Sequence, residues 1–201
     1  KEFAASLRGA PLTGDEIAVH MHGRTNQHLL EYLFDRSLDT GEVERLSEEK
    51  ETIYRSRAIA LGAGYQLSPG AVELLEFLVQ RGIPRTIATA SGKSNLDFFI
   101  QRLELGRWFD LDQIVYDDGF LPGKPAPDIY LRAARNLGTP PERCVVVEDS
   151  LSGLQAAHAA GIGCIVAIGP PERHTALRQV AGVSAVIFSL AEFPLRVFCL
   201  S

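Results

Sequence analysis

The sequence predicts an α/β fold in which a parallel sheet carries helices on both faces, preceded by a small all-helical domain. From about residue 67 onward, short apolar runs typical of buried strands alternate with segments of helical periodicity, which is the pattern of a parallel sheet. The first third of the chain shows helical spacing and no convincing strand. We therefore expect a helical domain over residues 1–66 and an α/β domain over residues 67–201.

Polar turns divide the helical part. Residues 2–7 continue a helix, and Thr13-Gly-Asp-Glu16 has the form of a helix cap and first turn. A third helix follows, with apolar residues at helical spacing, and Thr40-Gly41 is expected to break that pattern. Residues 42–61 predict a further helix. Four of its apolar side chains are expected to pack: Ile53, Tyr54, Ile59 and Leu61.

The α/β part contains five apolar runs that predict strands, at 84–90, 113–116, 144–147, 163–168 and 185–188. Helices are expected around them, over residues 72–80, 96–103, 128–137, 154–160 and 173–180. The valine-rich run Cys144–Val147 is expected to be buried on both faces. All strands of a parallel sheet end at the same edge, so polar residues that follow them can converge there.

The composition excludes several classes of function. The chain has 201 residues, of which 46% are apolar and 22% are charged, as in ordinary globular proteins. A net charge of −5 gives no reason to expect nucleic acid or a membrane surface as a partner. There is no signal-peptide pattern and no apolar run that could span a membrane. Cys144, Cys164 and Cys199 lack metal-ligand spacing, which favours reduced packing residues in a cytoplasmic protein.

Three polar clusters follow predicted strands, at residues 89–95, Gly123-Lys124-Pro125 and Glu148-Asp149. Adjacent carboxylates at a strand end suit a hydrated Mg²⁺ ion that carries a phosphate. Lysine and hydroxyl groups can offset the remaining charge of a transferring phosphoryl group. The set indicates phosphoryl transfer on a small phosphorylated metabolite. Taken in isolation, Asp149 or Ser150 could instead cap the following helix.

The segments IATASGKSN, GKPAPDIYLRAARNLG and VVVEDSLSGLQAAHAAG resemble the haloacid dehalogenase superfamily, and most of all its β-phosphoglucomutase and sugar-phosphate phosphatase branch. The resemblance covers nearly the whole chain and implies a Rossmann-like core with a mobile helical cap. It implies that Lys124 binds the phosphate and holds the nucleophile's charge. It also implies that Asp149 binds Mg²⁺, with Glu148 in or next to the coordination shell.

The family's phosphate-binding hydroxyl has two candidates in this sequence. Counting back from Trp108-Phe109-Asp110 selects Ser91, whereas counting from the end of the strand allows Thr89. Asn95 falls where this branch can contact the phosphate, although it could instead be a helix N-cap.

Two basic residues of the helical part are further candidates. The resemblance places Arg24 and Lys50 at or near cap positions that can meet the distal groups of the substrate. Both residues lie on charged helical segments, so a solvated surface position is an equal alternative.

The family's first motif, a strand followed by DxDGT that supplies the nucleophilic aspartate, has no counterpart in the sequence. Residues 34–41 resemble it superficially but lack the DxD spacing, and Asp117-Asp118-Gly119 has no following threonine. We therefore expect the first strand, the nucleophile loop and part of the cap to be missing from this sequence. The 201 residues alone are then expected to be unstable and inactive by the family mechanism.

The resemblance thus implies a magnesium-dependent phosphatase of a small phosphorylated metabolite, such as a sugar phosphate. In the complete protein the reaction would pass through an aspartyl-phosphate intermediate. We expect a monomer with no nucleic-acid or membrane partner. A phosphomutase of the β-phosphoglucomutase type is one alternative, and an inactive chain that binds a ligand or a protein is another.

Overall fold

The computed structural model describes residues 2–21 and 23–199. The predicted class is confirmed, because parallel strands alternate with helices after an all-helical start. The elements are α1 Glu2–Arg8, α2 Gly14–His20, α3 Asn26–Phe34, α4 Thr40–Ala60, α5 Ala71–Gln80, β1 Ala88–Gly92, α6 Lys93–Arg102, β2 Val115–Asp117, α7 Asp128–Asn136, β3 Val145–Glu148, α8 Leu151–Ala159, β4 Cys164–Ile168, α9 His174–Arg178 and β5 Val183–Ile187.

Side-chain caps define the starts of the first helices. The predicted cap before α2 is present as a capping box, in which the backbone N–H of Glu16 donates to Thr13 Oγ1 at 3.2 Å and the N–H of Thr13 donates to Glu16 Oε2 at 2.8 Å. A second capping box, between Asp39 and Glu42, begins α4. The expectation of a break at Thr40-Gly41 is therefore wrong, since these two residues form the first turn of that helix.

The helical part has its own apolar cluster, in which α1, α2, α3 and α4 contribute one face each. Its buried members include Phe3, Ile17, Leu29, Leu30, Leu33, Leu38 and Leu46. The far end of α4 does not join a core. Ile59 and Leu61 are 59% and 61% exposed, so the expected packing of these residues is wrong. The residues that α4 buries are Leu46, Glu51 and Ala58, and one of them is a carboxylate.

The described strands form two separate parallel ladders instead of one continuous sheet. β1 pairs with β2, and β3 pairs with β4, which pairs with β5. Neighbouring residues of β4 point to opposite faces. Ile165 packs in a cluster with α7 and α8, whereas Val166 packs with Phe193 and the partly buried Leu74 of α5. Helices therefore cover both faces, as expected for a parallel sheet.

A cleft of about 1380 Å³ lies between β1 and β3. Residues 83–91 and 142–149 form two of its walls, and α5 and α7 contribute apolar side chains. Val147 of β3 lines this cleft and is 38% exposed, so the expected burial of the run on both faces is wrong at that position. The predicted strand at 84–90 is correspondingly displaced, because its ladder begins only at Ala88.

Cysteine environments agree in part with expectation. Cys144 and Cys164 carry free thiols and are only half-buried, and the side chain of Cys199 lies outside the described part of the chain. Within residues 2–21 and 23–199, no helix has the length and apolar character that crossing a bilayer requires.

Candidate active site

The structure places all eight sequence-predicted site residues on the walls of the cleft between β1 and β3. Because the strands of each ladder are parallel, the residues at their carboxyl ends can approach one another. Four of the eight lie in a strand or directly after one, one lies in the β2–α7 loop, and three belong to the helical part or to α6. They are Thr89, Ser91, Glu148 and Asp149, then Lys124, then Arg24, Lys50 and Asn95.

Lys124 is the most deeply buried cation of this set, with 7% of its surface exposed. Its ammonium Nζ donates to Glu148 Oε2 at 2.7 Å and lies 5.0 Å from the centre of the Tyr130 ring. The Tyr130 hydroxyl donates to the same carboxylate oxygen at 2.5 Å. Sequence reasoning missed Tyr130, because an aromatic residue in α7 is more often an ordinary core residue.

The other oxygen of Glu148 is also occupied by donors from the protein. Glu148 Oε1 accepts hydrogen bonds from the backbone N–H groups of Asp149 at 3.0 Å and Ser150 at 2.9 Å, and from Ser150 Oγ at 2.8 Å. Ser150 is the N-cap of α8, since its hydroxyl accepts from the N–H of Gly153 at 3.0 Å. The capping alternative therefore applies to Ser150.

Charge and burial act in opposite directions on Glu148. Burial alone would raise the pKa of its carboxyl group, but the positive charge of Lys124 and the hydrogen bonds from Asp149, Lys124 and Tyr130 outweigh burial and lower that pKa. Burial, followed by the negative charge of Glu148, raises the pKa of Tyr130, so this hydroxyl remains a donor. The cluster therefore contains an ionised carboxylate, an ammonium and a protonated phenol.

Of the two adjacent carboxylates, Asp149 could bind Mg²⁺ directly, whereas Glu148 could not do so without losing hydrogen bonds. No group of three or more His, Cys, Asp and Glu side chains that could hold a metal ion occurs within the described residues. Mg²⁺ is often held by one or two carboxylates together with water and substrate phosphate. Asp149 meets that minimum, because its side chain is exposed on the cleft wall. Glu148, whose two oxygens already accept five hydrogen bonds, fits a place next to the coordination shell.

Thr89 and Ser91 remain the two candidates for a phosphate-binding hydroxyl, and both line the cleft. The Thr89 hydroxyl accepts a hydrogen bond from the backbone N–H of Ser91 at 3.1 Å. This local bond shapes the end of β1 in the way that side-chain oxygens shape turns. Thr89 thus has a structural contact, which favours Ser91 as the hydroxyl available to a ligand.

The loop between α2 and α3 reaches the lysine loop. Arg24 Nη1 donates to the backbone carbonyl of Lys124 at 3.1 Å. A Cβ atom on Gly123 would meet Thr25 Cγ2 at 2.6 Å, so the two loops are in close contact. Arg24 is half-buried in this contact, which favours a role at the cleft over the solvated alternative.

Lys50 of α4 and Asn95 of α6 also line the cleft. Asn95 is the third residue of α6, whose N-cap is Gly92, so the N-cap alternative for Asn95 is wrong. Both side chains contact Glu51, a buried carboxylate that sequence reasoning missed because α4 is rich in exposed charges.

The acidic segments rejected as first-motif candidates have structural roles. Asp35 ends α3 in the left-handed conformation, and Asp39 caps α4. Asp117 Oδ1 accepts from the N–H of Gly119 at 3.1 Å, and Asp118 forms an ion pair with Arg132 at 2.8 Å. None of these four carboxylates lines the cleft.

Comparisons with known proteins identify a hydrolase family. A family model described as a hydrolase, haloacid dehalogenase-like hydrolase, matches residues 1–161. A phosphorylated carbohydrates phosphatase from Thermotoga maritima is 36% identical over 118 residues, which make up 59% of this chain and 50% of that protein. The chain thus spans about half the length of the curated relatives that it matches.

Two solved structures extend the similarity to nearly the whole chain. A HAD hydrolase of family IA, variant 3, from Entamoeba histolytica has 36% identity and a TM-score of 0.84, covering 98% of this chain and 86% of that one. A putative beta-phosphoglucomutase from Thermotoga maritima has 28% identity and a TM-score of 0.67, covering 100% of this chain and 89% of that one.

Proposed function

Since the chain belongs to the haloacid dehalogenase-like hydrolase family, whose model matches residues 1–161, we propose that it carries the phosphate-binding residues of a phosphatase acting on a small phosphorylated sugar. The observation that carries the proposal is the buried Lys124 ammonium on the cleft wall. A buried cation is costly unless anions accompany it. Glu148 supplies one anion, and a substrate phosphate would supply the next.

Each polar residue of the cleft has a part in this proposal. Lys124 would hold the phosphate oxygens and offset their charge as the bond to phosphorus changes. Ser91, or Thr89, would donate a hydroxyl hydrogen bond to the same group. Glu148 would keep Lys124 in place by accepting a hydrogen bond from its ammonium. Tyr130 would help by donating to the same oxygen of Glu148, which fixes the position of that carboxylate. Arg24 would fix the lysine loop through the Lys124 carbonyl.

We propose Mg²⁺ as the cofactor, held by Asp149 and the phosphate. When bound, it would supply a Lewis-acid charge that offsets the negative charge on the phosphoryl oxygens. In the route we propose, an aspartate carboxylate attacks phosphorus, the P–O bond to the sugar breaks, and a carboxylic acid protonates the departing sugar oxygen. Water then hydrolyses the aspartyl phosphate to inorganic phosphate and regenerates the carboxylate. Residues 1–66 would form the cap and residues 67–201 the core of a cytoplasmic monomer.

A phosphomutase is the second candidate, favoured by the similarity to a putative beta-phosphoglucomutase. The two reactions differ in their product. A phosphatase releases inorganic phosphate, whereas a mutase returns the phosphoryl group to another hydroxyl of the sugar. Phosphorus NMR of a hexose monophosphate incubated with the full-length protein and Mg²⁺ separates the two, because it resolves the phosphate and isomeric ester signals.

Calorimetric titration of the full-length protein with inorganic phosphate and a hexose monophosphate, with and without Mg²⁺, tests the proposed site. We expect binding of both ligands, strengthened by Mg²⁺ and abolished in Lys124→Met. The matched control is Lys93→Met, which removes an exposed lysine at the start of α6. Phosphate binding that persists in a folded Lys124→Met variant, or its absence from the unaltered chain, would overturn the proposal.

A further inference from the structure

A buried carboxylate lies inside the cleft, on the wall formed by the helical part. Glu51 of α4 is 8% exposed and lines the cleft together with Lys50 and Asn95. One oxygen of Glu51 contacts the Lys50 ammonium, and the other accepts a hydrogen bond from Asn95 Nδ2. Both donors therefore already have an anionic partner supplied by the protein.

Arg55, one turn further along α4, fixes the orientation of the Asn95 amide. Arg55 Nη1 donates to Asn95 Oδ1 at 3.0 Å and to Ser94 Oγ at 3.3 Å. A guanidinium only donates and a carboxylate only accepts. A flipped amide would turn its NH₂ toward Arg55 and its oxygen toward Glu51, so only the observed orientation satisfies both partners. Asn95 in turn holds Glu51 at the cleft.

The positively charged side chains that line the cleft lie in three different places. Arg24 contacts the lysine loop, so it lies close to the proposed phosphate site. Arg85 and Arg143 precede β1 and β3 and therefore lie toward the opposite, amino-terminal edge of the ladders. Among the described cations of the cleft, Lys50 is the one placed on the α4 wall, and Glu51 offsets its charge.

We propose that Glu51 is a specificity-determining residue, which selects substrates with one phosphoryl group and an uncharged, hydroxyl-rich distal end. This inference rests on the proposed function, because it assumes that the phosphoryl group binds at Lys124. A second phosphoryl group near Lys50 would meet the Glu51 carboxylate in a site of low dielectric constant, where like charges repel strongly. Sugar hydroxyls can both donate to Glu51 and accept from Asn95, so they suit this wall.

The test compares two variants that each remove one negative charge from α4. Glu51→Gln is isosteric and keeps an oxygen that can accept from Asn95, but it leaves the charge of Lys50 without its neighbouring carboxylate. Glu49→Gln changes an exposed residue two positions earlier and serves as the control for net charge. Calorimetry measures the dissociation constants of a hexose monophosphate and the corresponding hexose bisphosphate for each protein in the presence of Mg²⁺.

We expect Glu51→Gln to improve the affinity for the bisphosphate relative to the monophosphate about tenfold, since one nearby like charge is removed. Glu49→Gln is expected to leave the ratio unchanged. An unchanged ratio in a Glu51→Gln variant that still binds the monophosphate would overturn the inference and leave the proposed function intact. If the unaltered chain binds neither ester, the proposed function fails and the inference fails with it.

A second variant tests whether Asn95 positions the Glu51 carboxylate. Arg55→Lys keeps the positive charge but replaces the guanidinium that donates to Asn95 and Ser94, at a residue that does not line the cleft. We expect a smaller shift of the affinity ratio in the same direction, because Glu51 then loses its fixed partner. A shift in the opposite direction would contradict the positioning of Glu51 by Asn95. Circular dichroism of each variant confirms that the helices are retained.

Discussion

Lys124 and Glu148 form an ion pair that is almost wholly withdrawn from solvent, with 2.7 Å between Nζ and Oε2 and side-chain exposures of 6% and 8%. Lys124 lies in the β2–α7 loop, and Glu148, 24 positions later, is the last residue of β3. Their contact joins the β2–α7 loop to the end of β3. The pair therefore serves both the stability of the fold and the proposed phosphate site.

Removal of the Lys124 charge should destabilise the folded protein. In Lys124→Met, Glu148 keeps four of its five hydrogen bonds but loses the only cation in contact with it among the described residues. We expect the free energy of unfolding to fall by about 3 kcal/mol, as for other broken buried pairs. Urea denaturation measures the loss. Lys93→Met, which breaks an exposed pair with Asp97, should cost less than about 0.5 kcal/mol, and equal losses in both variants would contradict the assignment.

The Tyr130 hydroxyl offers a subtler change at the same carboxylate. Tyr130→Phe keeps the ring beneath Lys124 and removes one hydrogen bond to Glu148 Oε2. Hydrogen bonds to charged groups contribute about 1.5–3 kcal/mol, so we expect a loss in that range by urea denaturation. The pKa of Glu148 should also rise, as followed by NMR titration of its side-chain carbon. A variant of unchanged stability and unchanged titration would show that this bond is unimportant.

The lowered pKa of Glu148 also predicts that the stability of the protein depends on pH. Its pKa is lowered in the folded protein, so the folded state binds fewer protons than the unfolded state near and below the ordinary carboxyl value of 4.5. The contribution of Glu148 is fully present above that value and is lost as pH falls toward its folded pKa. We expect the urea concentration at the midpoint of unfolding to decrease as the pH is lowered from 6 to 3. The decrease should be less steep in Glu148→Gln. An identical slope in the variant would contradict this origin.

Gly153 fits α8 against the site with no space for a side chain. A Cβ atom there would lie 2.0 Å from Glu148 Oε2. Although alanine favours helices over glycine, we expect Gly153→Ala to destabilise the protein by about 1–3 kcal/mol through overpacking. Gly41→Ala, in the first turn of α4, meets its nearest atom only at 3.4 Å and should cause no loss. Thermal melting of both variants checks the contrast, and equal melting temperatures would refute it.

Paired substitutions can separate the two hydroxyl candidates. Ser91→Ala should weaken inorganic phosphate binding about tenfold, the effect of losing a hydrogen bond to a charged ligand. Thr89→Val removes the acceptor of the Ser91 N–H and should lower stability with a smaller effect on phosphate affinity. Calorimetry gives the affinities, and melting temperatures give the stabilities. The reverse pattern would assign the ligand hydroxyl to Thr89.

Sequence reasoning anticipated that candidate-site residues at the ends of strands would lie close together, and they line one cleft. Lys124, Glu148 and Asp149 could be anticipated because parallel strands bring their carboxyl ends together. Glu51 and Arg55 could not, since charged residues on a helix usually face water and the pattern does not reveal which of them another helix covers.

The features of the fold that could not be predicted from the sequence have a similar cause. Local signals fixed the Thr13–Glu16 cap, whose partners are three residues apart. The exposure of Val147 and Leu61 depends on which elements pack beside them, and a short apolar run carries no such information. Ladder pairing is likewise a tertiary property, so the division into β1–β2 and β3–β5 was not visible in the spacing of the strands.

The division into two ladders has a consequence for how the described part of the chain opens. No backbone hydrogen bond of the described strands joins β2 or β1 to β3, so the loss of one ladder does not break the other. α7 packs on the β1–β2 ladder and also contacts α8, which lies on β3 and β4. Amide exchange of the two groups of strands can therefore proceed through different subglobal openings, and α7 is the element whose protection would report on both.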